Sequence, residues 1–300
     1  MDWDHLRVFL AVARQGQLLA AGRRLGINHA TVARRLDALE EALGAPLFDR
    51  RPAGCVPTDA GERLLPAAER VEAEMLGIAE SFRDAAADVS GTVRIGAPDG
   101  LGNYFLAAEL GALAALYPNL VVELVPLPRT FSLSRREADL AIVLDRPTEG
   151  RLLVSRLIDY TLSVYAARAY LERHGTPASV EDLAGHVVVT GVEDLAYASA
   201  LDYSGVLEKH GRSRFRCASV MGQMEAVRAG AGIGVLHDFA AGRHLAQGPD
   251  ALVRILPGIG FRRSYFLLAH PDTAQVRRIA VLRDVLAQRF REARARFIVP

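Results

Sequence analysis

Apolar residues recur at helical spacing through the N-terminal part of the chain and in short continuous runs beyond it. Leu6, Phe9, Leu10 and Ala13 follow an i, i+3, i+4, i+7 pattern, which predicts an amphipathic helix over residues 3–14 that Gly16 ends. A second helix is expected from Leu18 to Leu25, with Ala20, Ala21 and Leu25 inward. Gly26-Ile27-Asn28 then makes a tight turn, because glycine takes positive φ and asparagine caps the helix that follows. This third helix carries Val32, Leu36 and Leu39 on one face, and His29, Thr31, Arg34 and Arg35 away from it. Two short helices joined by a glycine turn form a helix-turn-helix, although any small helical bundle shows similar spacing.

The residues that follow narrow the reading. Residues 43–51, LGAPLFDRR, place a hydrophobic anchor before paired arginines, and Pro52, Gly54 and Pro57 suit a β-wing beside the third helix. The blocks AVARQGQLLAAGRRLGINHATVARRLDALEEALGAPLFDRR and PTDAGERLLPAAERV resemble the winged helix-turn-helix of LysR-type transcriptional regulators. The resemblance is long and ungapped there and weaker over the rest of the chain. It implies a recognition helix in the major groove, with His29 and Thr31 at base edges, Asn28 as the cap, and Arg34 on a base or a phosphate. Arg35 is expected on phosphate, and Arg50 and Arg51 of the wing on the backbone or minor groove. The family commonly has Ser, Gln, Pro and Ser where this chain has Asn28, His29, Ala30 and Ala33, so operator preference differs while DNA binding stays. Residues 1–60 hold eight arginines and seven acids, so a basic face requires placement, with Asp2, Asp4, Glu40 and Glu41 turned away.

Thr58 and Asp59 supply an N-cap and a first-turn acid for a long helix. Leu64, Ala68, Val71, Met75, Ile78 and Phe82 lie at steps of 4, 3, 4, 3 and 4, a heptad seam, with Glu62, Glu69, Glu72, Glu74 and Glu80 off it. Pro66 falls early enough to kink this helix without breaking it. The stripe suits packing on the chain's own core or a dimer seam. The resemblance favours the dimer, with a two-fold related, pseudo-palindromic operator and a dimer of dimers as the larger assembly. Ala85 to Gly91 is the expected hinge.

After Gly91 the pattern alternates strand and helix, which indicates an α/β fold with mainly parallel sheets. Strands are expected at 92–97, 120–125, 139–144, 186–190, 214–218 and 232–236. Helices are expected at 104–116, near 132–136, and from Ser219-Val220-Met221 into 222–229. Chain crossings at 161–166 and 264–269 divide the region into subdomain I (91–161 plus 267–300) and subdomain II (162–266). The layout is thus a winged helix-turn-helix domain of all-α type (1–58), a linker helix and hinge (59–90), and an α/β domain (91–300). This last domain resembles the family's effector-binding domain, which is similar to periplasmic solute-binding proteins.

Ligands of such folds sit at strand C-termini near helix N-termini. The candidate contacts are Asp99, Gly100 and Leu101 in the loop 97–102, with Thr190 and Ser219, Val220 and Met221 facing them. Asp99 stands where many family members have a Ser or Thr that binds an effector carboxylate, so its charge favours a cationic, polar or neutral effector. Arg129 and Arg146 restore anion binding if they point inward. His237, just after a strand, reads as a helix cap before a ligand contact, and residues 229–235 as a glycine-rich entry to a buried strand.

Net charge is +1, which excludes a wholesale polybasic coat. All basic residues but Lys209 are arginine, in keeping with a GC-rich genome. Cys55 and Cys217 lie far apart without a CxxC, so neither zinc nor a disulfide framework is expected. No GxSxG, HExxH or P-loop is present, and no catalytic residue, metal or cofactor is expected. Acids near the N-terminus and the lack of an apolar run near ~20 residues predict a cytoplasmic protein without a membrane partner. The sequence thus reads as a DNA-binding regulator answering to an unknown small molecule. The alternative is a cytosolic solute-binding protein without DNA function.

Overall fold

The computed structural model describes residues 2–81, 89–127, 133, 137–147, 152–201, 203, 205–245 and 251–299. The chain divides into two compact units, one holding residues 1–87 with 132–137 and 271–277, the other residues 88–131, 138–270 and 278–300.

The first unit opens with three helices, α1 (Trp3–Gln15), α2 (Leu18–Leu25) and α3 (His29–Leu43). Phe9, Leu10 and Val12 of α1 meet Val32, Leu36 and Leu39 of α3 in a buried core, which Leu47 and Phe48 complete. The Phe9 and Phe48 rings lie 5.3 Å apart. Gly26 has φ +69° between α2 and α3, a left-handed conformation that costs glycine little. A hairpin follows, β1 (Phe48–Arg51) against β2 (Gly54–Pro57), with Arg50 paired to Cys55. Cys55 N donates to the Gly16 carbonyl at 2.7 Å, so the wing is tied to the α1–α2 turn.

Helix α4 (Asp59–Ser81) continues unbroken through Pro66, with Thr58 Oγ1 accepting from Gly61 N as the expected cap. Its first half belongs to the head. Ala68 is 1% exposed in the core, with Leu64 packed beside it, and Arg14 of α1 grips Glu72 with two bonds of 3.1 and 2.7 Å.

Among the described residues, the second unit is built on a mixed eight-stranded sheet ordered β4-β3-β5-β10-β6-β9-β7-β8. The strands are β3 (Gly91–Ala97), β4 (Leu120–Pro126), β5 (Leu140–Val143), β6 (Leu153–Ala167), β7 (Val187–Thr190), β8 (Arg212–Arg216), β9 (Ile233–His237) and β10 (Leu252–Ala269). Pairs β3–β4, β3–β5, β7–β8 and β7–β9 are parallel. The expected crossings are halves of two long strands, β6 and β10, which pair antiparallel along their length with a break between Ile255 and Gly260. Two parallel lobes therefore share an antiparallel spine, a correction to the mainly parallel expectation. The spine has to be antiparallel because each long strand serves both lobes and the chain crosses once in each direction.

Helices α5 (Asp99–Leu101), α6 (Ala107–Leu116), α7 (Arg168–His174), α8 (Gly205–His210), α9 (Val220–Arg228), α10 (Asp238–Ala241), α11 (Arg277–Glu292) and α12 (Arg294–Phe297) complete the unit. The first helix begins at Asp99, earlier than Tyr104, and passes through a π-helical turn (Gly102–Leu106) into α6. Gly100 and Gly102 read as loop in sequence. In the structure they serve close approach, since a Cβ at Gly100 would meet Val220 Cγ1 at 2.9 Å, and one at Gly102 would meet Pro126 at 2.4 Å. The C-terminal helices escaped the strand–helix reading, yet Phe290 and Phe297 pack on Phe105 with ring centroids 4.9 and 5.0 Å away. The hinge expected at 85–91 and the helix expected near 132–136 fall largely outside the described residues.

Candidate functional site

The N-terminal end of α3 stands free of the core. Asn28 caps it, its Oδ1 accepting from Thr31 N at 2.8 Å. His29 is exposed, Thr31 half-exposed, and Arg34 exposed without an ion pair among the described residues. Backbone donors and side chains at a helix N-terminus are what a major groove receives.

The other arginines are differently placed. Arg35 pairs with Asp4 of α1. Arg50 donates to Asp37 at 2.6 Å and to Glu40 at 2.8 Å. Glu40 also accepts from Leu47 N and Phe48 N at 2.7 and 3.3 Å. Asp4 and Glu40 are thus not turned away from the arginines, as sequence counting supposed. Glu40 is required to satisfy the backbone entering the wing, and that brings it beside Arg50. Arg51 is exposed, with Asp49 at 3.2 Å. Arg23 and Arg24, exposed at the end of α2, were passed over in the sequence because that helix was read only for its inward face.

Along α4 the apolar stripe divides. Leu64 and Ala68 serve the head core, which removes Ala68 from any seam with a partner. Val71, Met75 and Ile78 are 40, 42 and 52% exposed, while Phe82 lies outside the described residues. Glu69 and Glu72 sit off the stripe because they face Arg14, at 3.9 and 2.7 Å.

The second unit holds a cavity of about 600 Å³ at the C-terminal ends of β3, β5, β7 and β8, where an α/β sheet gathers ligands. Asp99 and Asp145 line it from subdomain I; Gly191, Glu193, Tyr197, Tyr203, Glu208, Val220 and Gln223 are among its walls from subdomain II. Asp99 is 5% exposed. Its Oδ2 accepts from Ser219 Oγ at 2.8 Å and from Val220 N at 2.9 Å, so one carboxylate joins the two subdomains and occupies the N-terminus of α9. Ser219 is the N-cap of that helix, its Oγ accepting from Gly222 N at 3.4 Å.

The remaining expected contacts scatter. Gly100 packs on Val220, and Leu101 is buried in the core. Thr190 is buried, its carbonyl accepting from Cys217 N at 3.0 Å, while its neighbour Gly191 reaches the cavity. Met221 is half-buried and Arg146 exposed; neither lines the cavity. Arg129 lies outside the described residues. Tyr197, Tyr203, Asp145, Glu193 and Glu208 were missed. The first four carry a usable signal, since they follow the C-terminal ends of β5 and β7 within one chain segment.

His237 is no side-chain cap. It precedes α10 without capping it, and its ring stacks on Tyr160 at 5.2 Å with Tyr203 and Phe239 edge-on. Its Nδ1 is buried without a hydrogen-bond partner among the described residues, and burial pushes its pKa down to about 4. Asp238 beside it accepts from Tyr165 Oη at 2.7 Å, from Ser163 Oγ at 3.2 Å and from Thr161, pinning α10 to β6. Cys55 and Cys217 are free thiols. No helix among the described residues is long and apolar enough to cross a membrane.

A winged helix-turn-helix head and a two-lobed α/β domain with a ligand-sized cleft define a DNA-binding protein that carries a small-molecule sensor. Residues 3–62 match the bacterial regulatory helix-turn-helix proteins of the lysR family, and residues 86–291 match the LysR substrate binding domain. The chain belongs to the LysR-type family and is a DNA-binding transcriptional regulator with an effector-binding domain, not an enzyme. The match over the head disposes of the reading as a solute-binding protein without DNA function.

Among similar proteins, the HTH-type transcriptional regulator PtxR of Pseudomonas aeruginosa is 28% identical over 263 residues, covering 86% of this chain and 83% of that protein. A full-length single-substitution variant of OxyR from Pseudomonas aeruginosa has the same fold, with TM-score 0.72 and 19% identity over 97% of this chain and 95% of that one. ArgP from Mycobacterium tuberculosis gives TM-score 0.70 at 21% identity, over 97% of each chain.

Proposed function

We propose that α3 enters the major groove of a pseudo-palindromic operator, with His29 and Thr31 on base edges and Arg34 on a base or phosphate. The free, Asn28-capped N-terminus of α3 carries this reading. Arg51 meets the backbone, and Arg23 and Arg24 supply further phosphate contacts. Arg35 and Arg50 act mainly by fixing the head and the wing, since acids already hold both. The exposed stripe Val71, Met75 and Ile78 pairs two subunits, and dimers pair again into tetramers.

The effector enters the cleft between the subdomains, favours one angle between them, and so resets the spacing of the heads along DNA. It acts only if its affinities for the two arrangements differ. The regulator works in the cytoplasm on double-stranded DNA. Selection of bound fragments from genomic DNA, followed by footprinting, tests this reading. The expected footprint contains two related half-sites whose centres are a whole number of helical turns apart, about 10 base pairs per turn. A single unrepeated site would overturn the dimeric arrangement.

A further inference from the structure

The cleft's lining is one-sided in charge. Asp99, Asp145, Glu193 and Glu208 reach it, and among the described residues no lysine, arginine or histidine does. Arg216 stands near, 3.6 Å from Glu208, and Asp145 is itself engaged, so these two carboxylates are partly offset; Arg146 is exposed outside the lining. The two donors that would greet an anion at the N-terminus of α9, Ser219 Oγ and Val220 N, are both taken by Asp99. An incoming carboxylate would have to displace a covalently tethered one, in a cleft that already repels it.

A second, independent observation concerns the aromatic wall. Tyr203 is 6% exposed, lines the cavity, and makes no side-chain hydrogen bond among the described residues. Tyr197 lines the same wall, and the stacked pair Tyr160 and Tyr265, 4.2 Å apart, lies buried on the spine strands. An unpaired phenol oxygen in such a wall accepts from an N–H donor, and ring faces attract cations. Burial holds the Tyr203 and Tyr197 phenols protonated, and the Asp99 charge acts in the same sense.

We propose that the cleft takes a small organic cation, an amine or guanidinium on an apolar body, and that Asp99 excludes carboxylate ligands by holding the N-terminus of α9 for itself. The ammonium or guanidinium group is placed toward Asp145 and Glu193, with its body against Tyr197 and Tyr203. This inference rests on the cleft being the effector site.

The test compares ligands that share one body and differ in charge: 2-phenylethylamine, 2-phenylethanol and phenylacetate, with butylamine, butanol and butyrate as a second set. Calorimetric titration of the full-length protein gives the affinities. The amine is expected to bind tightest and the carboxylate weakest in at least one set. Asp99→Ser empties the two donors and leaves a hydroxyl, so phenylacetate binding should strengthen and amine binding weaken, each by about tenfold or more. Asp99→Asn keeps an acceptor for Ser219 and Val220, which guards against a folding artefact. It should weaken the amine without admitting the carboxylate. Carboxylates preferred by wild type, or no member binding up to millimolar concentration, would overturn the proposal. Operator binding is measured in parallel. A protein that grips its operator but prefers carboxylates sinks this inference alone, whereas one that binds amines but no DNA sinks the regulator mechanism and leaves the cleft chemistry standing.

Discussion

Asn28 decides where the recognition helix starts, because its side-chain oxygen satisfies Thr31 N, which has no partner within the helix. Asn28→Ala should cost about 1 kcal/mol of stability, read as a lowered midpoint in urea with an unchanged slope. Arg34 has the opposite character: exposed and unengaged among the described residues, it contributes nothing visible to the fold. Arg34→Ala should leave the urea midpoint in place and weaken operator binding by roughly 1–3 kcal/mol, measured by fluorescence anisotropy. Equal affinity for wild type and variant would remove Arg34 from the interface. The cap was legible in the sequence, since a Gly-Ile-Asn turn has few uses before a helix, and so was the outward face that carries Arg34. The arginine pairings were not. Whether Arg50 meets solvent or Asp37 depends on a strand register and a helix phase that residue counts do not contain.

At the scale of elements, the apolar stripe of α4 is buried at one end and exposed at the other. One side of the helix is cemented to α1 through Ala68 and the Arg14–Glu72 bonds, while the apolar stripe is exposed from Val71 onward, at Val71, Met75 and Ile78. Arg14 has only 8% of its side chain exposed, so removing it takes the facing cation away from Glu69 and Glu72. Arg14→Ala should therefore destabilise the head by roughly 3 kcal/mol, a cost visible in thermal unfolding. Met75→Glu should leave helicity unchanged in circular dichroism and shift the mass from light scattering toward the monomer. An unchanged oligomer would place the seam elsewhere. The heptad pattern located the helix and its stripe but not the point where burial gives way to exposure. Periodicity shows that a face is apolar, not what covers it. The same limit explains the mixed sheet, since strand propensity at 161–166 and 264–269 marks strands without giving their direction or length.

For the whole molecule, the two lobes meet over a buried aromatic and ionisable cluster beside the cleft. His237 is held neutral there, its pKa pushed down to about 4 by burial, among Tyr160, Tyr203 and Phe239. Below about pH 6.5 the unfolded chain takes up a proton that the folded chain refuses until about pH 4. Stability therefore falls through that window, by up to roughly 3 kcal/mol from this residue alone, and levels off below it. His237→Phe should flatten the difference between unfolding midpoints at pH 7 and pH 4.5 relative to wild type; a parallel pH dependence in the two proteins would contradict the assignment. The lobed architecture and the strand ends that carry the cleft were readable from alternating strands and helices. The cleft's own chemistry was only half readable, because Asp99 announces a charge while its partner at Ser219 lies 120 residues away in sequence. Recognition of a particular DNA sequence by the head is the property on which the regulator's function depends. A gel-shift titration of the purified full-length protein against the DNA upstream of its own gene and against scrambled DNA of equal length, repeated at several salt concentrations, measures it most directly. The expected result is a shift that survives competitor DNA, prefers the natural sequence at every salt, and weakens steeply as salt rises. Equal binding to natural and scrambled DNA, with no preferred fragment from genome-wide selection, would contradict it.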